Sequence, residues 1–220
     1  MNAKEIADWS EGIFGWIDGQ VGGWRTYTYD ERLHLTQAAL DSVPEGGAMA
    51  EIGTYTGLSS SVLLQVARQK KARIALIDCF MWTRGYEKAG ETVEAHMRSV
   101  LCQFPDVWWR FYYMTSKHAC EAATRNEVVG GNVVAPFIDR NLDFLHIDGD
   151  HGDVANDCAM WFPHLKPACA VAFHDANPNP AAPVGCAVVR DALHWTPDGE
   201  GWREMWWSKD ENCLMVRRRT

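Results

Sequence analysis

The stretch from Gly47 to Ser61 constrains the fold more than any other in this chain. Ala48 to Ile52 is small and apolar, interrupted only by Glu51, and reads as a short buried strand. Gly53 permits a sharp turn, Gly57 permits close backbone approach, and Ser59 to Leu64 opens a helix. A strand, a glycine turn and a helix gather backbone N–H groups and the positive end of a helix dipole around one small cavity. Such a cavity suits a nucleotide or a carboxylate. No Lys-Ser/Thr pair closes the stretch, so it is not a phosphate-binding P-loop. Tyr55 fills the slot where G-x-G-x-x-G needs its second glycine. What remains is an acidic-x-Gly-x-x-x-Gly pattern carried by Glu51, Gly53 and Gly57.

Four later strands end in residues able to work beside that cavity. Ala72 to Asp78 is an apolar run closed by a carboxylate, 21 residues after Gly57. An acidic residue at that spacing in a strand–helix–strand unit binds ribose hydroxyls, which makes Asp78 the ribose ligand. Cys79 and Phe80 follow it, with Met81 and Trp82, where an adenine ring would lie. Val107 to Met114 is rich in aromatic β-formers and delivers Ser116 to the same edge, near the base or its amino group. Leu142 to Ile147 runs into Asp148, Asp150 and His151, and Ala168 to Phe173 runs into His174 and Asp175. Two neighbouring strands thus bring Asp148, His151, His174 and Asp175 to one sheet edge. Carboxylates and imidazoles gathered in this way suit a divalent ion or proton transfer. The cost of burying so many ionisable groups favours a function for them.

Helical stripes alternate with these strands. They cover residues 3–18, Asp30 to Ser42 with Asp30 as N-cap and Leu33, Ala38, Ala39 and Leu40 inward, then 87–103, Thr115 to Ala123, Gly152 to Phe162, and Gly185 to Trp195. Trp202 to Trp207 and Cys213 to Arg217 form a closing hairpin, and residues 124–140 are the least regular part. The expected fold is α/β: a Rossmann-like, doubly wound, seven-stranded sheet, mostly parallel, with a C-terminal antiparallel strand. One domain spans 1–220, and 1–44 form an N-terminal helical cover. A formal charge of −8 argues against a nucleic-acid backbone as partner. No apolar run reaches membrane-spanning length and no signal peptide is evident. The seven cysteines are scattered without a C-x-x-C pair, which reads as reduced thiols in a cytoplasmic protein.

Taken together, Glu51 to Ser60, Ile147-Asp148-Gly149-Asp150-His151, Leu165-Lys166-Pro167 and Phe173-His174-Asp175 carry a family resemblance across about residues 45–217. The chain resembles class I S-adenosylmethionine-dependent methyltransferases, and more narrowly the small-molecule O-methyltransferases similar to macrolide-sugar and catechol enzymes. The resemblance implies a cofactor site of Glu51, Gly53, Thr54, Tyr55, Gly57, Ser59, Ser60, Asp78, Cys79, Phe80, Ser116 and Asp148. It also implies a small-molecule hydroxyl acceptor and a Mg2+ or Mn2+ site at Asp148, His174 and Asp175. His151 stands at the position of the catechol enzymes' lysine base, with His174 as the alternative base. A ring-shaped acceptor would suit Tyr27, Tyr29 and Trp82; self-assembly is left open.

Two departures stand out. His174 stands where the metal-dependent relatives carry a carboxylate, which leaves manganese, a softer ion or a hydrogen-bonded cluster with no ion as alternatives to magnesium. The usual Pro-Gly-Gly turn is Pro167-Ala168-Cys169 here. The rival readings are an NAD-dependent oxidoreductase, disfavoured by the missing G-x-G-x-x-G and by the terminal hairpin, and a noncatalytic cofactor-binding protein, disfavoured by the His and Asp cluster.

Overall fold

The structure is a computed structural model describing residues 1–21, 27–80, 87–129, 132–139, 141–176, 202–207 and 215–219. Five strands run parallel: β1 (Ala48–Ile52), β2 (Arg73–Asp78), β3 (Trp108–Tyr113), β6 (Leu142–Ile147) and β7 (Leu165–Phe173), in the spatial order β3-β2-β1-β6-β7. Beyond β7 lies β9 (Met215–Arg219), antiparallel to it, and then β8 (Trp202–Trp207), antiparallel to β9. The stretch expected to be irregular holds a short hairpin of its own, β4 (Glu127–Val129) with β5 (Asn132–Val134). Strands of three residues are too short a pattern to read as alternation.

Helices cover both faces. Alternate residues of a strand point to opposite sides, so Met49 of β1, Phe144 of β6 and Ala170 and Ala172 of β7 share one face. That face packs under α1 (Ala3–Val21), α2 (Tyr29–Ser42), α3 (Leu58–Lys70) and α4 (Glu87–Cys102), through Ile6, Leu35, Val62 and Met97 among others. The opposite face carries Ala50, Ile77, Leu145 and Val171 and packs on α5 (Ser116–Thr124) and α6 (Val154–Trp161), with Trp161 wholly buried. The switch in strand order between β1 and β6 opens the crevice in which this architecture binds ligands. No helix among the described residues is long and apolar enough to cross a membrane.

The cover begins two residues before its expected N-cap. Thr28, not Asp30, caps α2: its hydroxyl accepts from Glu31 N–H, and the Glu31 carboxylate returns to the Thr28 N–H at 2.8 Å. This reciprocal capping box satisfies two helix-end donors and is worth about 1 kcal/mol. Anchoring Glu31 inward also rotates the helix, so the buried residues are Glu31, Arg32, Leu35, Thr36 and Ala39. Leu33 and Ala38 are only half-buried. The expected helix from Gly185 to Trp195 lies outside the described residues.

Candidate ligand site at the carboxyl ends of the strands

The glycine turn holds itself together more than it presents donors. Gly53 N–H continues the ladder to Ile77 O at 2.8 Å, and Gly57 N–H closes on Thr54 O at 2.8 Å. The N–H groups of Thr54 and Tyr55 both donate to Asp78 Oδ2, at 3.0 and 2.8 Å. The expectation of free N–H groups throughout the turn is therefore corrected: Asp78 takes two of them. What remains without a side-chain cap is the buried start of α3, where Gly57 is the cap residue. An uncapped helix start favours an anionic group.

Both glycines are required, but by protein neighbours. Gly53 has φ +84°, and a Cβ there would stand 2.0 Å from the Asp148 carbonyl oxygen. Gly57 has φ +87°, and a Cβ there would stand 2.8 Å from the Met97 sulfur of α4. Gly53 thus lets the end of β1 lie directly on the end of β6, where Asp148 N–H donates to Ile52 O.

The sequence-predicted cofactor residues divide by exposure. Gly53, Tyr55, Asp78, Cys79, Ser116 and Asp148 are partly open along one edge, whereas Glu51, Thr54, Gly57, Ser59, Ser60 and Phe80 are buried. Asp78 Oδ1 accepts the Phe80 N–H at 2.6 Å. Burial raises the Asp78 carboxyl above its usual range, against the lowering effect of the Phe80, Tyr55 and Thr54 N–H groups. Phe80 is 5% exposed and packs its ring on Phe111 and Tyr113, with centroids 6.0 and 5.6 Å away, so that ring belongs to the β3 layer. Met81 and Trp82 lie outside the described residues. Ser116 opens α5 and accepts from the buried Trp161 indole N–H at 2.9 Å.

Asp148, His174 and Asp175 come together as their strand ends predict. One ligand atom from each lies within 4.8 Å of the others. His174 Nδ1 stands 3.1 Å from Asp148 Oδ1 and 3.2 Å from Asp175 Oδ2. Neither approach is aligned as a hydrogen bond, and Nε2 has no hydrogen-bond partner among the described residues. Burial alone would lower the imidazole's pKa, but the Asp148 and Asp175 carboxylates outweigh it and hold His174 well above its ordinary value. Asp175 takes a left-handed backbone, φ 55°, a conformation uncommon outside glycine and often kept at functional sites. His151 opens a 3-10 turn, His151–Asp153, capped by the Asp150 carboxylate accepting from Gly152 N–H. The His151 side chain lies outside the described part of the structure.

Behind this cluster runs a buried polar chain that the sequence reading passed over. Tyr27 donates its hydroxyl to Asp148 Oδ2 at 3.1 Å and lies 2.7 Å from His146 Nε2. His146 Nδ1 is 3.1 Å from Glu51 Oε1, and Ser60 donates to Glu51 Oε2 at 2.5 Å. Glu51, Ser60 and His146 are fully buried, so Glu51 and Ser60 turn away from the open edge where the cofactor site was expected. The signal was present: Glu51 and His146 are polar residues inside mostly apolar strands, and a buried charge demands a partner. Tyr29, expected beside an acceptor, instead donates to exposed Asp8 at 2.7 Å.

A twisted parallel sheet with helices on both faces, polar groups collected at its carboxyl ends, and a helix start at the strand-order switch define a Rossmann-like ligand-binding domain. Residues 50–176, more than half of the chain, match the family described as Methyltransferase domain, and the chain belongs to that family. Solved structures share the fold at low sequence identity. The O-methyltransferase TomG of Streptomyces achromogenes, in complex with SAM, has a TM-score of 0.64 at 14% identity, over 100% of this chain and 90% of that chain. An O-methyltransferase from Bacillus cereus in complex with SAH has a TM-score of 0.65 at 9% identity, over 96% and 90%. SAH-bound methyltransferase PaMTH1 of Podospora anserina has a TM-score of 0.65 at 11% identity, over 96% and 88%. No curated protein matches the chain in sequence.

Proposed function

We propose that this chain is an S-adenosylmethionine-dependent O-methyltransferase acting on a hydroxyl of a small molecule. The observation that carries the reading is the juxtaposition, at one sheet edge, of the uncapped start of α3, the partly open Asp78 and the Asp148–His174–Asp175 cluster. The family match and the SAM- and SAH-bound O-methyltransferases of the same fold agree with it.

The residues fit the cofactor's two ends. The α3 start suits its carboxylate, and Asp78 keeps acceptor capacity on Oδ1 for ribose hydroxyls, with Gly53 and Tyr55 between them and Ser116 toward the base. When bound, the sulfonium supplies an electrophilic methyl group. The chain's own part is to align an acceptor hydroxyl with it and to remove a proton. With no ion bound, Asp148 and Asp175 favour the protonated imidazole of His174, which leaves His151 as the base and His174 as its alternative.

A divalent ion is the second possible element of this site. One imidazole nitrogen and two carboxylates form a mixed donor set, which fits Mn2+ better than Mg2+. Asp148, Asp175 and the neutral form of His174 would hold such an ion in place of the imidazole proton, and it would lower the acceptor hydroxyl's pKa.

Calorimetric titration tests the reading directly. S-adenosylhomocysteine should bind with a Kd below about 100 μM and NAD should not bind measurably. The reverse preference would make the chain a nicotinamide protein. Methyl transfer that survives excess chelator would remove the ion from the proposal and leave the rest standing.

A further inference from the structure

Tyr27 stands outside the cluster of Asp148, His174 and Asp175, yet it touches two of its members. It is 3% exposed and directly precedes the N-cap of α2 in the helical cover. Its ring stacks on the His174 imidazole with centroids 4.1 Å apart and planes at 28°. Its hydroxyl meets Asp148 Oδ2 and His146 Nε2. A tyrosine buried only for packing needs one partner for its hydroxyl. This one has two ionisable partners and a third beneath its ring, all on strands that it approaches from another layer. The face it lies on is opened by small residues: Ala172 of β7 is the register partner of His146. Glu51 is the register partner of His146 on the other side, so the polar chain passes from β6 to β1 at one level of the sheet.

Counting protons shows what the contact fixes. A phenol has a single proton, and Tyr27 gives it to Asp148. His146 Nε2, 2.7 Å from the same oxygen, must then be the donor in that pair, which sets its ring orientation and tautomer. Its Nδ1 faces Glu51, with one proton between them, and Ser60 holds the far carboxylate oxygen. Ser60 is in the first turn of α3, the helix that starts at the glycine turn.

We propose that Tyr27 is a positioning residue of the methyl-transfer site: it holds Asp148 and His174 in place from the cover and, through His146 and Glu51, ties them to the turn that carries the cofactor. This rests on the methyltransferase reading above. A change at the cofactor turn is then felt at His174, and the coupling works in both directions.

Tyr27→Phe separates the parts of this claim. The ring and its stack remain, while Asp148 Oδ2 and His146 Nε2 lose the hydroxyl. The probe is S-adenosylhomocysteine, read by calorimetry and by 15N resonances of the histidine side chains. The exposed Tyr29→Phe serves as control. In Tyr27→Phe the Kd should stay within about threefold of wild type. The resting signals of both His146 and His174 should move, and most of the ligand-induced change at His174 should be lost. Tyr29→Phe should move neither. His174 signals identical to wild type, resting and liganded, would overturn the proposal and leave Tyr27 as packing. If wild-type protein fails to bind S-adenosylhomocysteine, the methyltransferase reading falls, and the resting spectra alone decide whether Tyr27 positions the two rings. Should Tyr27→Phe not fold, His146→Gln cuts the same chain while keeping the tyrosine stack. Unmoved His174 signals in that variant would overturn the proposal equally.

Discussion

Gly53 lies so close to Asp148 that a Cβ placed on it would be 2.0 Å from the Asp148 carbonyl oxygen and 2.4 Å from the carbonyl carbon. Both atoms belong to backbone, so neither can rotate out of the way. Two neighbouring strand ends, one carrying the glycine turn and one the first acid of the cluster, are therefore pressed together through a missing side chain. Gly53→Ala must push β1 and β6 apart at this point and also adopt φ +84° with a Cβ. We expect a loss of about 2–4 kcal/mol in stability, seen as a lowered urea midpoint, together with loss of S-adenosylhomocysteine binding. A variant as stable as wild type with the same affinity would show that the two strand ends do not need this contact.

Glu51 offers a test of the buried chain that does not depend on ligand. Its carboxylate has Ser60 on one oxygen and His146 on the other, with both Glu51 and His146 side chains shut off from solvent. Glu51→Ala strips His146 of its partner and opens a cavity, which should cost about 3–5 kcal/mol. Glu51→Gln keeps the volume and a hydrogen-bond acceptor and should cost clearly less. Equal losses in the two variants, measured by urea denaturation, would mean that the carboxylate itself, and not the volume or one neutral acceptor, sets the cost.

The fold was legible because its signals are local and repeated. Apolar runs such as Ala72 to Ile77 and Leu142 to Ile147 end in charge, and helical stripes lie between them; a parallel sheet with its chemistry at one edge follows from that alternation. Asp148, His174 and Asp175 were legible for the same reason, since strand ends in a parallel sheet share an edge. The roles inside that edge were not. Asp78 binds the backbone of the turn, and Glu51 and Ser60 face inward, because hydrogen-bond direction is decided by neighbours remote in sequence. Tyr27 meets His146 across 119 residues. No local pattern announces such a contact, and only the buried polarity of Glu51 and His146 hinted that something must satisfy them.

Ala168 departs from the glycine expected of a Pro-Gly-Gly turn, and the structure shows what the departure costs. Its φ is 63°, in the left-handed region, where a Cβ crowds the following carbonyl. The residue is exposed at the outer part of β7, so no packing would be lost with the methyl group. Ala168→Gly should raise stability by about 1 kcal/mol, the strain relief outweighing the extra freedom of glycine in the unfolded chain. Denaturant unfolding should show a higher midpoint with an unchanged slope. A lower midpoint would mean that the unfolded-state entropy outweighs the strain.

Asp157 supplies a pH dependence with a definite sign. It sits in α6 at 1% exposure, with no hydrogen-bond partner for Oδ1 among the described residues. Burial pushes its carboxyl up from 3.8 to about 7; a Ser116 hydrogen bond lowers it less, and the charges of Asp153 and Asp150 raise it further. The folded state therefore favours the protonated acid. Below pH 3.8 the folded and unfolded chains both carry that proton, and Asp157 costs nothing. As the pH rises toward 7 the unfolded chain releases it while the folded chain holds it, so stability falls throughout this window, by up to about 4 kcal/mol. Above about pH 7 both states are ionised and the slope from this group vanishes. Asp157→Asn mimics the protonated form at every pH. Other carboxylates titrate identically in the two proteins, so the difference between their urea midpoints isolates this one group. The variant should match wild type near pH 4 and exceed it increasingly up to pH 7. Stability curves that run parallel across that range would show that Asp157 is not the group holding the proton.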